Sequence, residues 1–333
     1  ADAILQSALN TAIEKNPELA KQFKLAINAM GKAGGQELNY VSDVDVIFTA
    51  EPSNGVEEQV AISAATKIAT EVMQYISVAN DGGEIWEVDA ALRPEGKAGP
   101  LVRTVDQHVA YYQRWASTWE FQALLKARFS AGDLELGNKY LDEITPFVWQ
   151  AASKENFVDD VQKMRKKVEE NIDNRIGERE LKLAPGGLRD VEFAVQLLQL
   201  VHGRSDVMVR SPNTLEALDQ LATWGYIGRE DAATFSTAYT FLRTLEHRIQ
   251  LQKLSRTHVL PEEDSELRKL GRSLGFMSES SVDLEKQWRK HQLEVRRIHE
   301  KLFYRPLLNA VARLDAGSAR LTISEATSRL NAL

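Results

Sequence analysis

The chain has 333 residues, no cysteine and a formal net charge of −7 at pH 7. The lack of cysteine excludes disulfides and thiolate metal sites, which fits a reducing cytoplasm, and the acidic balance argues against broad nucleic-acid binding. We find no apolar run of about eighteen residues and no charged-then-apolar leader, so we expect neither a membrane span nor an export signal. A composition rich in Ala, Leu, Glu, Lys and Arg predicts a mostly helical protein, and a start without methionine suggests a piece of a longer chain.

The first predicted elements lead into a glycine-rich turn. Apolar residues at helical spacing over residues 3 to 30, interrupted by Pro17, predict two helices. A turn built on Gly31, Gly34 and Gly35 then runs into a predicted strand from Tyr40 to Thr49. Because side chains alternate along a strand, Asp43 and Asp45 are expected on one face of it.

The pair of aspartates indicates a cation site. Two carboxylates this close repel each other unless a positive charge lies between them. Oxygen ligands without cysteine or a histidine cluster favour Mg²⁺ or Mn²⁺, ions that usually accompany a phosphate-bearing substrate. Free backbone N–H groups of the glycine turn could cradle that phosphate. The alternative is a chance Asp-x-Asp pair, which many proteins contain without any metal.

A second predicted strand supplies a third carboxylate. After an amphipathic helix over residues 60 to 76, residues 85 to 93 alternate and place Glu87, Asp89 and Arg93 on one face. Beside the first strand, Asp89 would complete the acidic set of a two-metal site. The Gly/Pro loop that follows, with Arg93 and Lys97 near its ends, suits an anionic ligand. The alternative is a solvated strand face, which we favour for Glu87.

The rest of the chain predicts helices. From Val105 the sequence is helical and aromatic, and the charges of Glu120, Lys126 and Arg128 in this stretch are either ligand contacts or solvated. From residue 151 onward no segment alternates like a strand. Helices are predicted at about 189 to 203, 212 to 224, 229 to 255, 264 to 274 and 281 to 314.

Together these motifs resemble a known family. The glycine turn followed by Asp-x-Asp resembles the nucleotidyltransferase superfamily that includes DNA polymerase β. The wider set resembles the bifunctional glutamine synthetase adenylyltransferase/adenylyl-removing enzymes: Gly31-Lys32-x-Gly34-Gly35-x-Glu37-Leu38-Asn39-Tyr40-x-Ser42-Asp43-x-Asp45, then Asp89-x-x-Leu92-Arg93-Pro94-x-Gly96-x-x-Gly99-Pro100-Leu101-Val102, then Trp119-Glu120 with Lys126-Ala127-Arg128. These motifs extend over about a hundred residues in the family's order.

The resemblance implies a fold and a site. It implies an α+β nucleotidyltransferase domain over residues 1–150, with a small mixed or antiparallel sheet, and an all-α helical bundle over residues 151–333. Two Mg²⁺ or Mn²⁺ ions would be held by Asp43, Asp45 and Asp89. The remaining implied site residues are those that would orient the nucleotide phosphate (Gly34, Gly35, Ser42), those that would fix an attacking phosphate (Arg93, Lys97) and the further cofactor-binding candidates Glu120, Lys126 and Arg128.

The resemblance also implies a reaction. One half of such enzymes attaches AMP from ATP to a tyrosine of glutamine synthetase, and the other removes it with inorganic phosphate, giving ADP. The run from Gly186 to Phe193 resembles the element after the adenylyl-removing domain, which favours removal, whereas Phe121 stands where that half commonly has arginine. The alternatives are ATP-dependent adenylylation and an inactive module that docks glutamine synthetase or a PII signal protein. An RNA-end nucleotidyltransferase is disfavoured by the acidic charge, and no nucleic-acid or membrane partner is expected.

Overall fold

The computed structural model describes residues 1–77, 86–154, 156–173, 176–304 and 308. They separate into two compact units. The first contains Ala1–Gln150 with Ser211–Asn213, and the second contains Ala151–Arg210 and the described residues from Thr214 onward. The first unit combines helices with a mixed sheet and the second is built from helices, which confirms the predicted fold class. Among the described residues, no helix is both long and apolar enough to cross a membrane.

The first unit holds the sheet. Its described strands are β1 Phe23–Ala29, β2 Asp43–Pro52, β3 Glu87–Asp89, β4 Val102–Arg103 and β5 Arg128–Gly132. Its helices are α1 Asp2–Lys15, α2 Pro17–Ala20, α3 Gly31–Gly34, α4 Glu58–Ser77, α5 Val105–Arg114, α6 Thr118–Leu124 and α7 Leu134–Gln150. A short 3₁₀ turn, Gly96–Ala98, lies in the loop after β3.

Strand pairing makes the sheet mixed. The strand order is β3-β2-β1-β5, with β4 also paired to β2. β1 pairs antiparallel with β2 and with β5, whereas β3 and β4 both run parallel to β2. The parallel register sets Asp43 opposite Glu87 and Asp45 opposite Asp89. Residues paired in register point to the same face, so the acidic side chains of the two strands share one face.

The hydrophobic core fixes which face that is. α1 and α4 pack on one side of the sheet, where Val44, Val46 and Val88 are at most 4% exposed. Alternation then directs Asp43 and Asp45 to the other side. Burial of the valines therefore determines that the carboxylates lie on the face opposite α1 and α4.

The structure corrects several predicted elements of this unit. The second of the two helices predicted over residues 3 to 30 is in fact the short α2 followed by β1. β1 lies between two strands and is buried on both faces over most of its length, so its apolar run lacks the alternation that marks a strand. The segment Arg128–Gly132, expected in a helical region, is β5. The strand predicted from Tyr40 begins at Asp43, and of the strand predicted over residues 85 to 93 only Glu87–Asp89 forms; residue 85 lies outside the described residues.

The second unit is helical as predicted. Its described helices are α8 Phe157–Glu170, α9 Leu188–His202, α10 Thr214–Thr223, α11 Arg229–Lys253, α12 Asp264–Ser273 and α13 Ser280–Phe303. Helices α9 to α13 coincide with the predicted stretches to within a few residues, and the end of the stretch predicted to residue 314 lies outside the described residues. α13 packs against α9, α11 and α12, and α9 is buried over almost its whole length.

A buried ion pair holds the turn before α9. The Arg165 Nε donates to the Asp190 carboxylate at 2.7 Å, and both side chains are fully buried. The Gly186 amide donates to the same carboxylate at 2.7 Å, and Gly186 has a positive φ of 78°. Arg189 pairs with Glu192 at 3.1 Å. The glycine pair thus makes a tight turn before the helix.

Candidate active site

Three carboxylates converge at one end of the β2–β3 pair. Asp43 and Asp45 open β2, and Asp89 closes β3. One carboxylate oxygen from each of the three lies within 4.8 Å of the others, and all three residues are half-buried. The predicted meeting of Asp89 with the Asp-x-Asp pair is therefore present, and it follows from the parallel register of the two strands.

The donor set fits a hard divalent cation. All three side chains offer oxygen, and the chain contains no cysteine. Local hydrogen bonds orient two of the carboxylates: the Ser42 hydroxyl donates to Asp43 at 3.4 Å, and the Ala91 amide donates to Asp89 at 2.8 Å. Oxygen-only ligation of this kind suits Mg²⁺ or Mn²⁺.

Gly31 lies directly against this cluster. It begins the short helix α3 with a positive φ of 51°, and a Cβ placed on it would overlap the Asp45 carboxylate. The adjoining Met30 amide donates to the Asp45 carbonyl at 2.8 Å. Only glycine accommodates both the left-handed backbone and the close approach. Gly31 is therefore a site residue that the sequence analysis assigned to the turn and not to the site. Its position at the head of the glycine motif was the sequence signal that could have identified it.

Gly34 and Gly35 lie at the end of the short helix α3, and their expected role in orienting a nucleotide phosphate stays a prediction. Their amides donate to the Met30 carbonyl at 2.8 Å and to the Gly31 carbonyl at 3.1 Å, so the expectation that the turn leaves these amides free is wrong. The turn closes as one turn of helix, so these two amides bond within it. Gly34 is glycine because a Cβ would overlap the Lys126 carbonyl, and Gly35 because a Cβ would come within 2.9 Å of the Lys126 ammonium.

Lys126 and Glu37 form a buried ion pair beside this turn. The Lys126 Nζ lies 2.6 Å from the Glu37 Oε2, and the two side chains are 11% and 9% exposed. The Asn213 amide donates to the Gly35 carbonyl at 3.1 Å. Lys126 thus braces the glycine turn, and its direct contact with a ligand stays a prediction.

Arg128 also faces the turn. Its guanidinium donates to the Gly34 carbonyl at 3.3 Å and to the Ala33 carbonyl at 3.2 Å, and it forms two hydrogen bonds with the Asp2 carboxylate. Its contact with a ligand is likewise still a prediction.

Glu120 caps a helix. Its carboxylate accepts from the Ser117 amide at 2.8 Å and from the Tyr111 hydroxyl at 3.1 Å, which completes the capping box of α6. The neighbouring Phe121 is 1% exposed and packs near the Tyr112 ring, so the residue that departs from the family pattern is a core residue here. The sequence alone left Glu120 as either a ligand contact or a solvated charge.

Arg93 organises the loop after β3. It lies beyond the end of the strand, and its guanidinium donates to the carbonyls of Ala90 at 2.7 Å, Lys97 at 3.2 Å and Gly99 at 3.0 Å. Burial lowers the pKa of Arg93, and the Asp89 charge opposes this effect. Lys97 is exposed on the 3₁₀ turn of the same loop. Contacts of either cation with phosphate stay predictions.

These features define the class of the first unit as nucleotidyltransferase-like: a mixed sheet, a glycine turn and three carboxylates on adjacent parallel strands. The family described as "Glutamate-ammonia ligase adenylyltransferase" matches residues 1–143. The family described as "GlnD PII-uridylyltransferase" matches residues 162–303.

Comparison with curated proteins extends the relationship to the whole chain. A bifunctional glutamine synthetase adenylyltransferase/adenylyl-removing enzyme of Streptomyces avermitilis is 59% identical over 333 residues, which cover 100% of this chain and 33% of the relative. Those of Streptomyces coelicolor and Nocardia farcinica are 58% and 51% identical, over 99% and 100% of this chain and 33% of each relative. The chain is therefore homologous over its whole length to the bifunctional glutamine synthetase adenylyltransferase/adenylyl-removing enzymes. It spans about a third of their length.

Proposed function

We propose that this chain is a metal-dependent nucleotidyltransferase that removes AMP from the adenylylated tyrosine of glutamine synthetase by phosphorolysis and releases ADP. The observation that carries the proposal is the cluster of Asp43, Asp45 and Asp89, whose oxygens lie within 4.8 Å of one another. The names of the relatives support the protein substrate and the adenylyl chemistry. Residues 1–150 would carry the catalysis and residues 151–333 would form a helical domain.

The side chains of the cluster have a defined task in this reaction. Asp43, Asp45 and Asp89 would hold two Mg²⁺ or Mn²⁺ ions, which would supply positive charge for an in-line displacement at phosphorus. Inorganic phosphate is an anion at neutral pH, so the site needs no strong general base. An oxygen of hydrogen phosphate forms a bond to the AMP phosphorus, the bond from that phosphorus to the tyrosine oxygen breaks, and the proton of hydrogen phosphate ends on the tyrosine oxygen, so the products are ADP and the free tyrosine side chain. Arg93 and Lys97, in the loop after Asp89, would attract the phosphate.

The second candidate is the reverse chemistry, ATP-dependent adenylylation of the same tyrosine. The observation in its favour is that the family matching residues 1–143 is described as an adenylyltransferase. The run Gly186 to Phe193 favours removal, as described above. A PII signal protein is proposed as a regulatory partner because residues 162–303 match a family named for PII. The reaction is proposed to take place in the cytoplasm.

The test uses adenylylated glutamine synthetase as substrate. The purified protein is incubated with it and Mg²⁺ or Mn²⁺, with and without inorganic phosphate, while subunit mass and released nucleotide are followed. Phosphate-dependent loss of AMP with ADP appearing is the expected result. No loss under these conditions, but a mass gain when unmodified enzyme and ATP are supplied, would instead establish adenylylation.

Two variants link the activity to the cluster. Asp43→Asn removes one metal ligand and is expected to abolish turnover while the far-UV circular dichroism spectrum and melting temperature stay unchanged. Glu87→Gln is the matched control, because Glu87 is exposed and paired in register with Asp43 but does not belong to the cluster. It should retain activity. Substantial activity in the Asp43→Asn variant would remove this residue from the metal site.

A further inference from the structure

Arg128 distributes its hydrogen bonds over the glycine turn. It opens β5, paired in register with Ala29, the last residue of β1 before the turn. From there its Nε donates to the Gly34 carbonyl at 3.3 Å and its Nη2 to the Ala33 carbonyl at 3.2 Å. Its Nη1 donates to the Phe129 carbonyl at 2.8 Å. Because a guanidinium is a rigid planar fork, these bonds fix the turn relative to the sheet.

Asp2 holds the other side of the same guanidinium. Its two carboxylate oxygens accept from Arg128 at 3.0 and 2.9 Å, and one of them also accepts from the Ser130 hydroxyl at 2.6 Å. Burial raises the pKa of Asp2, but the hydrogen bonds from Arg128 and Ser130 outweigh burial and lower it. The carboxylate is thus ionised at neutral pH and orients the fork. Gln6, on the same helix, accepts from the Gly132 amide at 2.8 Å, so α1 is tied to both ends of β5.

The turn has no room to move without disturbing the carboxylates. Gly31 at its start is packed against the Asp45 carboxylate. Gly34 at its end is packed against the Lys126 carbonyl, and a Cβ there would lie 2.7 Å from the Ala29 carbonyl. In such close packing a shift at Gly34 is transmitted to Gly31 and then to Asp45.

We propose that Arg128, oriented by Asp2, is a positioning residue that sets the glycine turn against Asp45 and so tunes cation binding at the carboxylate cluster. This use of the cluster rests on the function proposed above. Arg128 acts through the backbone of the turn. The Arg128 and Asp2 side chains are 25% and 44% exposed, so solvent screens the charge attraction between them. Its loss should therefore change the site more than the fold.

Two variants and a control test the proposal. Arg128→Lys keeps the charge and loses the fork, and Asp2→Asn keeps the shape and loses the charge. Lys24→Met is the control, because Lys24 forms an exposed ion pair with Glu135 at 3.3 Å, elsewhere in the same unit. The first readout is hydrogen exchange of the Gly34 and Gly35 amides, and the second is Mn²⁺ affinity measured by titration.

We expect both test variants to exchange these amides about tenfold faster than the control, with melting temperatures close to its own. Mn²⁺ affinity should fall about tenfold, at the lower end of the effect of removing an outer-shell partner. Unchanged exchange in Arg128→Lys would overturn the inference. So would a melting temperature far below the control in both variants, because the pair would then be a general stabilising element.

The two proposals fail differently. If the unmodified protein binds no Mn²⁺ at all, the proposed catalytic function fails, while the amide exchange rates still report whether Arg128 positions the turn. If Mn²⁺ binds and Asp43→Asn weakens it, but Arg128→Lys changes neither readout, the function stands and the positioning role is refuted.

Discussion

Replacing Gly31 by alanine separates the strain of a left-handed backbone from the disturbance of the site. Gly31 and Gly55, two of the described glycines of the first unit that have a positive φ, differ in their surroundings. Gly31, at 51°, is packed against the Asp45 carboxylate. Gly55, at 80°, has open space around it: apart from Gly55 and its two chain neighbours, no atom of the described residues lies within 4 Å of the position that a Cβ would take. Alanine in this region of φ costs about 1–2 kcal/mol, so Gly55→Ala measures the backbone cost alone.

The added methyl at Gly31 has a further effect. The atom that must yield is the end of the Asp45 side chain, which can rotate away, so the stability loss should remain close to that of Gly55→Ala, about 1–2 kcal/mol. The same rotation removes Asp45 from the cluster. We expect Mn²⁺ affinity to fall at least about tenfold in Gly31→Ala, which is about 1.4 kcal/mol of binding free energy. Gly55→Ala should bind Mn²⁺ normally.

The assays are urea denaturation for stability and Mn²⁺ titration for affinity, on both variants. Equal Mn²⁺ affinity in Gly31→Ala and Gly55→Ala would refute the reasoning, because it would show that the turn does not constrain Asp45. A much larger loss of stability in Gly31→Ala would show that the clash is relieved by the backbone and not by the side chain.

Two further predictions concern buried groups outside the cluster. Burial lowers the pKa of His108 to about 4, from an ordinary 6.5. Between these values the unfolded chain binds a proton at this histidine more readily than the folded protein. The free energy of unfolding is therefore not reduced by His108 above pH 6.5 and falls by about 3 kcal/mol as the pH drops towards 4. Urea denaturation at pH 7 and pH 4 should show a smaller change in the free energy of unfolding for His108→Gln than for the unmodified protein. An equal change in the two proteins would contradict the lowered pKa of His108. Arg165→Met removes the fully buried guanidinium that pairs with Asp190 and should cost about 3–5 kcal/mol in urea denaturation. A loss below about 1 kcal/mol would show that Asp190 is held by its other contacts.

Several elements that the sequence predicted well are buried on one face only. α4, α10 and α11 bury residues at helical spacing, and their positions were predicted to within a few residues. β1 is different, because Leu25, Ile27 and Ala29 are buried on one face and Ala26 and Asn28 on the other. A strand buried on both faces has no period of two, so neighbouring strands, and not local pattern, decide its structure.

The candidate site likewise combines features that local sequence predicts with features that only the fold creates. The three carboxylates were predicted because alternation and chemistry are both local signals. The ion pair of Lys126 with Glu37 was not predicted, because the two residues lie far apart in sequence and only the fold brings them together. The hydrogen bonds from Arg93 to carbonyls of its own loop were not predicted either, because residue type and spacing do not specify them; its contact with phosphate stays a prediction.

The pairing of β2 with β3 also protects the chemistry against misfolding. A slip of one residue between these strands would turn β3 over, place Val88 among the carboxylates and bury Asp89 under α4. Exposing the valine would forfeit about 1.5–3 kcal/mol of apolar burial, and an unpaired buried carboxylate would add a further penalty. The buried side of this three-residue strand thus fixes its register with β2. A chain that buries Val88 in the core has also brought its acidic cluster together.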